Sequence, residues 1–239
     1  MKIHGNSISY HIVTSKELTS LQKNIIKRIT KTYNEQIDVI KLNNLSVLKG
    51  YSRSWPPIVY ARLLIGEHFD IPYMAIDADV LFFDKIDDIS FLTKEKPIAS
   101  LCDSLLIKRG KLEKLNKAFE CHIDKYLNGG TLMVLPNAIS KSVVPDFLSR
   151  YGKHPALEHN EQDILNIVMG GKTQYYPEGY GILLYNTIGK AWKAQETGNI
   201  LNGKYKFAHI FEKQWNTNSS FYPLHAKYLN EIGIINEEE

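Results

Sequence analysis

The chain has 239 residues, 44% of them hydrophobic and 23% charged, which fits one globular domain with a sizeable core. A net charge of +3 with no basic stripe is too mild to argue for nucleic acid, and none is expected as a partner. No apolar run approaches the roughly 18 residues a bilayer span needs. The N-terminus has no signal-peptide core or cleavage site. Cys102 and Cys121 form no C-x-x-C pair and read as reduced thiols of a cytoplasmic protein. The mild positive charge permits weak peripheral contact with anionic lipid, though Glu237, Glu238 and Glu239 oppose it locally.

Ile8 to Thr14 reads as a first strand. Ser15 is placed to cap a helix whose stripe is Leu18, Leu21, Ile25 and Ile29, running to about Tyr33. Ile37 to Leu42 is a second strand, so the chain opens strand–helix–strand, the mark of a parallel α/β sheet. After a loop from Asn43, Ser54-Trp55-Pro56-Pro57 starts a helix over Ile58 to Glu67 that carries Arg62.

The stretch Ile71 to Asp84, IPYMAIDADVLFFD, reads as a buried strand that carries Asp77 and Asp79. In extended chain, residues i and i+2 point the same way, so the two carboxylates aim at one point. A hard divalent cation wants such converging oxygens, and a buried unpaired carboxylate is costly without a partner. The plainer alternative ends the strand at Ile76 and leaves both aspartates in a polar turn. Ligands of α/β sheets sit at the carboxyl ends of strands, and the pair fits such an end.

Pro97 to Leu101 is a short strand. Leu105 to Phe119 reads as a helix whose Lys108, Arg109, Lys111, Lys114 and Lys117 form a solvated face or, as a second reading, a basic lid over an acceptor. Thr131 to Leu135 is a buried strand, preceded by Asn128-Gly129-Gly130, where paired glycines mean a turn or let backbone approach a ligand. Ser140 to Tyr151 reads as a helix. Glu161 to Val168 is another, with Glu161, Gln162 and Asp163 in its first turn, where the helix dipole favours acids. Gly170 to Tyr185 is loop and short strand, Gly198 to Lys204 a polar connector, and Tyr205 to Phe211 a last strand with His209 near its end.

Four pieces then fall in order: YARLLIGEHF from Tyr60, the Asp77-Ala78-Asp79 strand, YLNGGTLMVL from Tyr126, and EQDILN from Glu161, followed by His209 and Lys213-x-Trp215. This set resembles glycosyltransferase family 8, retaining sugar transferases of the GT-A fold that include bacterial lipopolysaccharide galactosyl- and glucosyltransferases and glycogenin. The resemblance covers roughly Tyr60 to Trp215. It implies an α/β fold: one GT-A-type, Rossmann-like domain over residues 1–239, with a mostly parallel central sheet flanked by helices. Residues 1–100 would form the nucleotide-sugar half. Residues 101–239 would form the acceptor half, with His209 and Lys213 closing the metal–diphosphate site.

The resemblance also implies roles. Asp77, Asp79 and His209 would hold Mn²⁺ or Mg²⁺ on the diphosphate of a UDP-sugar donor. Lys213 would neutralise that diphosphate, and Arg62 would lie near the donor. Asn128 and Gly129 would receive the sugar, and Gln162 and Asp163 would flank the reacting carbon. A cation and a lysine stabilise the charge of a leaving diphosphate, and a carboxamide or carboxylate can stabilise an oxocarbenium-like centre. The expected activity is metal-dependent hexose transfer, from UDP-glucose or UDP-galactose to a glycan such as lipopolysaccharide or capsule, with retention. The expected place is the cytoplasm or the inner face of the membrane. Two features depart from the family pattern: Ser15-Lys16-Glu17-Leu18 has no Asp or Asn after the first strand, and the loop from His209 to Lys213 is short, with Gln214 in place of proline.

Two other classes compete. A haloacid-dehalogenase-like phosphatase also places Asp-x-Asp after an apolar strand, but its motif continues with Thr or Val where this chain has Leu81. The other is a nucleotide-sugar-binding module that does not turn over.

Overall fold

The computed structural model describes residues 2–3, 6–7, 9–43, 45, 56–86, 88–140, 142–185, 190–211 and 215–234. Its strands are β1 (Lys2–Ile3), β2 (Asn6–Ser7), β3 (Tyr10–Thr14), β4 (Ile37–Lys41), β5 (Tyr73–Ile76), β6 (Val80–Phe82), β7 (Ile98–Ser100), β8 (Thr131–Val134), β9 (Thr173–Tyr175), β10 (Gly181–Leu184) and β11 (Phe207–Ile210). Its helices are α1 (Ser20–Tyr33), α2 (Ala61–Leu64), α3 (Ser104–Lys108), α4 (Lys111–Phe119), α5 (Val143–Tyr151), α6 (Asn160–Met169), α7 (Lys190–Leu201) and α8 (Tyr222–Glu231).

The expected α/β class holds, but the strand directions are mixed rather than mostly parallel. Four strands run in the order β5-β8-β7-β9, and three in the order β10-β11-β6. The pairs β3/β4, β7/β9 and β10/β11 are parallel, as the opening strand–helix–strand pattern leads one to expect. The pairs β5/β8, β7/β8 and β6/β11 are antiparallel. The cause is local. The chain leaving β7 turns through α3 and α4 and re-enters the sheet as β8 from the edge it left, so β8 must run backwards between its neighbours. Residues just before β8 therefore share an edge with residues just after β5 and β7. The Asp77 amide donates to the Gly130 carbonyl at 2.8 Å, and the Asn128 amide donates to the Leu101 carbonyl at 2.8 Å.

All four residues of β8 are buried. Leu132 and Val134 pack with Ile164 and Leu165 of α6 and Val144 and Leu148 of α5. Met133 faces the other side, toward Tyr176, Tyr180 and Phe207. Each such side chain contributes about 1.5–3 kcal/mol on burial. The sheet is thus a middle layer, which explains why β8 reads as a continuous apolar run.

Several boundaries differ from the expected ones. Thr19, not Ser15, caps α1, because Gln22 completes a reciprocal capping box with it. Leu21 of the expected stripe is 70% exposed. The helix over Ile58 to Glu67 is three short pieces, with 3-10 turns at Pro57–Tyr60 and Ile65–His68 around α2. One expected basic helix is two, α3 and α4, divided at Gly110, whose φ of 75° suits glycine. The supposed connector from Gly198 begins inside α7, which continues to Leu201.

Candidate active site

The strand around Asp77 ends at Ile76, and Asp77-Ala78-Asp79 is a turn, as the plainer sequence reading has it. The chain there leaves one sheet through β5 and enters the other through β6. Convergence does not come from extended geometry, then, but from a turn pinned at both ends. The Asp77 amide binds Gly130, and the Asp79 carbonyl accepts from the Ile210 amide at 2.8 Å. This second bond draws β11 alongside, in register with His209 opposite Val80.

Ligand atoms of Asp77, Asp79 and His209 lie within 4.8 Å of one another. Asp79 and His209 are buried at 5% and 3% exposure, while the Asp77 carboxylate is reachable. The His209 tautomer follows from its neighbours. Asn128 Oδ1 accepts from the Gly130 amide at 2.9 Å and lies 2.9 Å from His209 Nδ1, so Nδ1 is the donor. His209 Nε2 then turns its lone pair on Asp79 Oδ1, 3.2 Å away. Two facing acceptors call for a positive charge between them, a proton or a cation. The donor set of two carboxylates and an oriented imidazole fits a divalent ion. Gly130 makes the room: a Cβ there would lie 2.5 Å from His209 Nδ1 and 2.9 Å from Asp77 Oδ2.

Arg62 closes one side. Its guanidinium donates to Asp77 Oδ1 at 2.6 Å and to the Gly129 carbonyl, and lies 3.7 Å from Glu161. A Cβ at Gly129 would meet Arg62 at 3.1 Å, Glu161 at 3.3 Å and Gln162 at 3.5 Å, so these groups converge on that backbone. Burial pushes the Glu161 carboxyl up to about 7, against the opposing pull of Arg62. In the sequence Glu161 is an acid at a helix start, where polar groups are stabilised by the dipole or face a site; the structure sets it beside Arg62 and the Gly129 backbone.

Gln162 and Asp163 begin α6 side by side and face different ways. Gln162 Oε1 accepts from the Gly129 amide at 2.9 Å. Asp163 is fully buried and fully engaged. It accepts from Lys111 Nζ at 3.0 Å, from the Glu158 and His159 amides at 2.7 and 2.8 Å, and from the Tyr126 hydroxyl. Burial and the Asp163 charge push the Tyr126 phenol well up, so it stays a donor. Lys111 is 3% exposed, which corrects its placement on a solvated face or lid; its partner lies on α6, far along the chain, where no helical period points.

Asp103, just after β7, was not singled out from the sequence. It is 3% exposed and accepts from the Tyr185 hydroxyl at 2.6 Å and from Gln162 Nε2 at 3.1 Å. The structure thus brings together Asp77, Asp79, His209, Arg62, Asn128, Gly129 and Gln162, and sets Asp163 behind them. Lys213 lies outside the described residues.

The glycosyl transferase family 8 model matches residues 3–232. No curated protein matches. Among solved structures, an active-site mutant of LgtC is similar at 15% identity and a TM-score of 0.69, over 98% of this chain and 88% of that one. The galactosyltransferase LgtC in complex with donor and acceptor sugar analogues follows at 17% identity and a TM-score of 0.67, over the same shares. The apo bifunctional glycosyltransferase WbbM has 16% identity and a TM-score of 0.58, over 92% of this chain and 43% of its own. These likenesses are of fold. The family match sets aside the phosphatase and the module without turnover: the chain belongs to glycosyl transferase family 8 and is a glycosyltransferase.

Proposed function

We propose that the protein moves a hexose from UDP-glucose or UDP-galactose to a glycan acceptor such as lipopolysaccharide or capsule, with retention and with Mn²⁺ or Mg²⁺. The observation that carries this reading is the meeting of Asp77, Asp79 and His209 beside the Gly129 backbone, on which Arg62, Glu161 and Gln162 converge. Asp77, Asp79 and His209 hold the ion, which supplies positive charge to the departing diphosphate. Arg62 positions Asp77 and lines the donor pocket. Asn128 and Gly129 receive the sugar. Gln162 turns a carbonyl oxygen toward the reacting carbon, where positive charge grows as the glycosidic bond breaks. Asp163 holds the start of α6, so its part is to fix Gln162. Lys213 neutralises the diphosphate.

Residues 1–100 form the nucleotide-sugar half, and residues 101–239 form the acceptor side, with His209 and Lys213 closing the metal–diphosphate site. No described helix is long and apolar enough to cross a membrane. The reading places the enzyme in the cytoplasm, in weak contact with the inner membrane face.

The test is thermal stabilisation by a panel of nucleotides and nucleotide sugars, each with Mn²⁺ and with EDTA. A ligand at a hundredfold excess over its Kd adds about 2.7 kcal/mol. A metal-dependent shift with UDP or one UDP-hexose, followed by its turnover, is expected. A shift confined to another nucleotide overturns the UDP assignment, and equal shifts in EDTA overturn the metal assignment.

A further inference from the structure

We propose that Asp103, held by Tyr185, is a positioning residue that sets which end of the Gln162 carboxamide faces the reaction. This rests on the reading of Gln162 as the group beside the reacting sugar carbon.

Gln162 is gripped at both ends of its amide. Its Nε2 donates to Asp103 Oδ2 at 3.1 Å. Its Oε1 accepts from the Gly129 amide at 2.9 Å, with Asn128 Nδ2 at 3.5 Å. The orientation follows from chemistry: a backbone N–H only donates, and a carboxylate only accepts. Turning the amide over would set two donors against each other at Gly129 and two acceptors at Asp103. Gln162 is 9% exposed, so water does little to repair such a mismatch.

Asp103 is itself fixed. Its Oδ1 accepts from the Tyr185 hydroxyl at 2.6 Å and from the Leu106 amide at 3.2 Å, where it caps α3. Its Oδ2 also takes Asn128 Nδ2 at 3.4 Å. Burial and the Asp103 hydrogen bond push the Tyr185 phenol well up, which keeps it a donor. Phe211 stacks on Tyr185 at 5.3 Å and on His209 at 4.9 Å, so the clamp and the metal triad share a wall.

The consequence is polarity. With Nε2 tied back to Asp103, the negative end of the amide dipole points toward the Gly129 backbone, where Arg62 and Glu161 also converge. An oxygen there favours a developing oxocarbenium ion, and an NH₂ group there opposes it. Neither Asp103 nor Tyr185 need touch the sugar to matter.

A thermal cycle tests the clamp without substrate. Asp103→Asn keeps its oxygen for Tyr185 and Leu106 and turns an NH₂ on Gln162, setting donor against donor. Gln162→Glu sets acceptor against acceptor. Each single variant is expected to lower Tm by roughly 3 °C or more. The pair together restores donor to acceptor at position 162 and leaves only the long Asn128 contact unmatched, so its Tm should recover most of the loss. Shifts that simply add overturn the clamp.

Kinetics test its catalytic meaning, with UDP-galactose and Mn²⁺ as the probe and UDP release as the readout. Asp103→Asn should lower kcat about tenfold to a hundredfold with KM little changed. Tyr185→Phe should lower kcat less, again without a KM effect, and carries the test if Asp103→Asn does not fold. A raised KM with kcat intact would show that Asp103 meets substrate directly and overturn the positioning role. If the wild type turns over no UDP-hexose, the donor assignment fails, while the thermal cycle still decides the clamp.

Discussion

The unit β3–α1–β4 and the layer β8–α6 are built to different standards. No described residue from Tyr10 to Lys41 is buried. The unit rests on its own parallel pair, with α1 tied to the C-terminal region by Arg28 at the Gly233 carbonyl and by Tyr33 at Glu231. Beside it lies a hollow of about 420 Å³ lined by Thr14, Lys16, Lys23, Lys27, Val39 and Lys41, among others. In the layer, β8 is wholly buried, and Ile164, Leu165 and Asn166 of α6 are at most 1% exposed. The groups proposed for bond breaking stand on the well-packed layer. Opening free energies follow burial, so the first unit should breathe far below the global unfolding energy, and the layer only with it.

The sharpest break in that contrast is steric. Gly130→Ala should abolish Mn²⁺ binding, followed by calorimetry or the Mn²⁺ resonance signal, because the added Cβ would sit against the His209 ring. Gly171→Ala meets no atom within 4 Å and should leave binding alone. Equal affinities in both variants would mean that the ion does not use this triad.

Next in size is the buried pair of Lys111 and Asp163. Lys111→Ala strands a fully buried carboxylate and should cost about 3–5 kcal/mol in denaturant unfolding. Ile25→Ala, in the half-buried face of α1, should cost about 1 kcal/mol. Similar costs would erase the difference between the two regions.

Glu161 gives a pH signature. Its folded-state carboxyl titrates at about 7, above the usual 4.5, so the native state holds the proton more tightly than the unfolded chain. The stability it lends is complete below about 4.5 and is lost as pH rises through about 7. Glu161→Gln should remove that decline, worth at most about 3 kcal/mol, when Tm is followed against pH beside the wild type. Parallel profiles would mean that Arg62 keeps the carboxyl ionised throughout.

The smallest effect belongs to the loose unit. Thr19→Ala removes a capping box and should cost α1 about 1 kcal/mol. Hydrogen exchange should register that loss in α1 and leave β8 amides unchanged. A matching change in β8 would join the two regions into one cooperative unit.

How much of this was legible in the chain depends on the range of the cause. Asp77 and Asp79 stand out because polar groups interrupt an apolar run, a local signal, whereas only the family resemblance gives His209 a ligand's role. The strand–helix–strand opening is equally local. The direction of β8 is not, since it depends on where the chain re-enters after α3 and α4. Lys111 looked like its exposed neighbours because its partner, Asp163, lies on another element. Asp103 sits one residue past an isolated bridge between Cys102 and Leu127, where no periodicity marks it. Gly130 was noticed as half of a glycine pair, but the ring it must clear comes from β11, at the far end of the chain.

That distance has a consequence in time. A ribosome releases Asp77 and Asp79 long before it makes His209, and β6 waits through more than half the chain for β11 to lie beside it. Loop closure over such a span is slow, and contacts of this kind form late. The growing chain therefore carries two aspartates without their imidazole until nearly everything else is in place. On the proposed reading, capture of the ion belongs to the final stage of folding, and a chain cut short before β11 would emerge with its carboxylates and no centre.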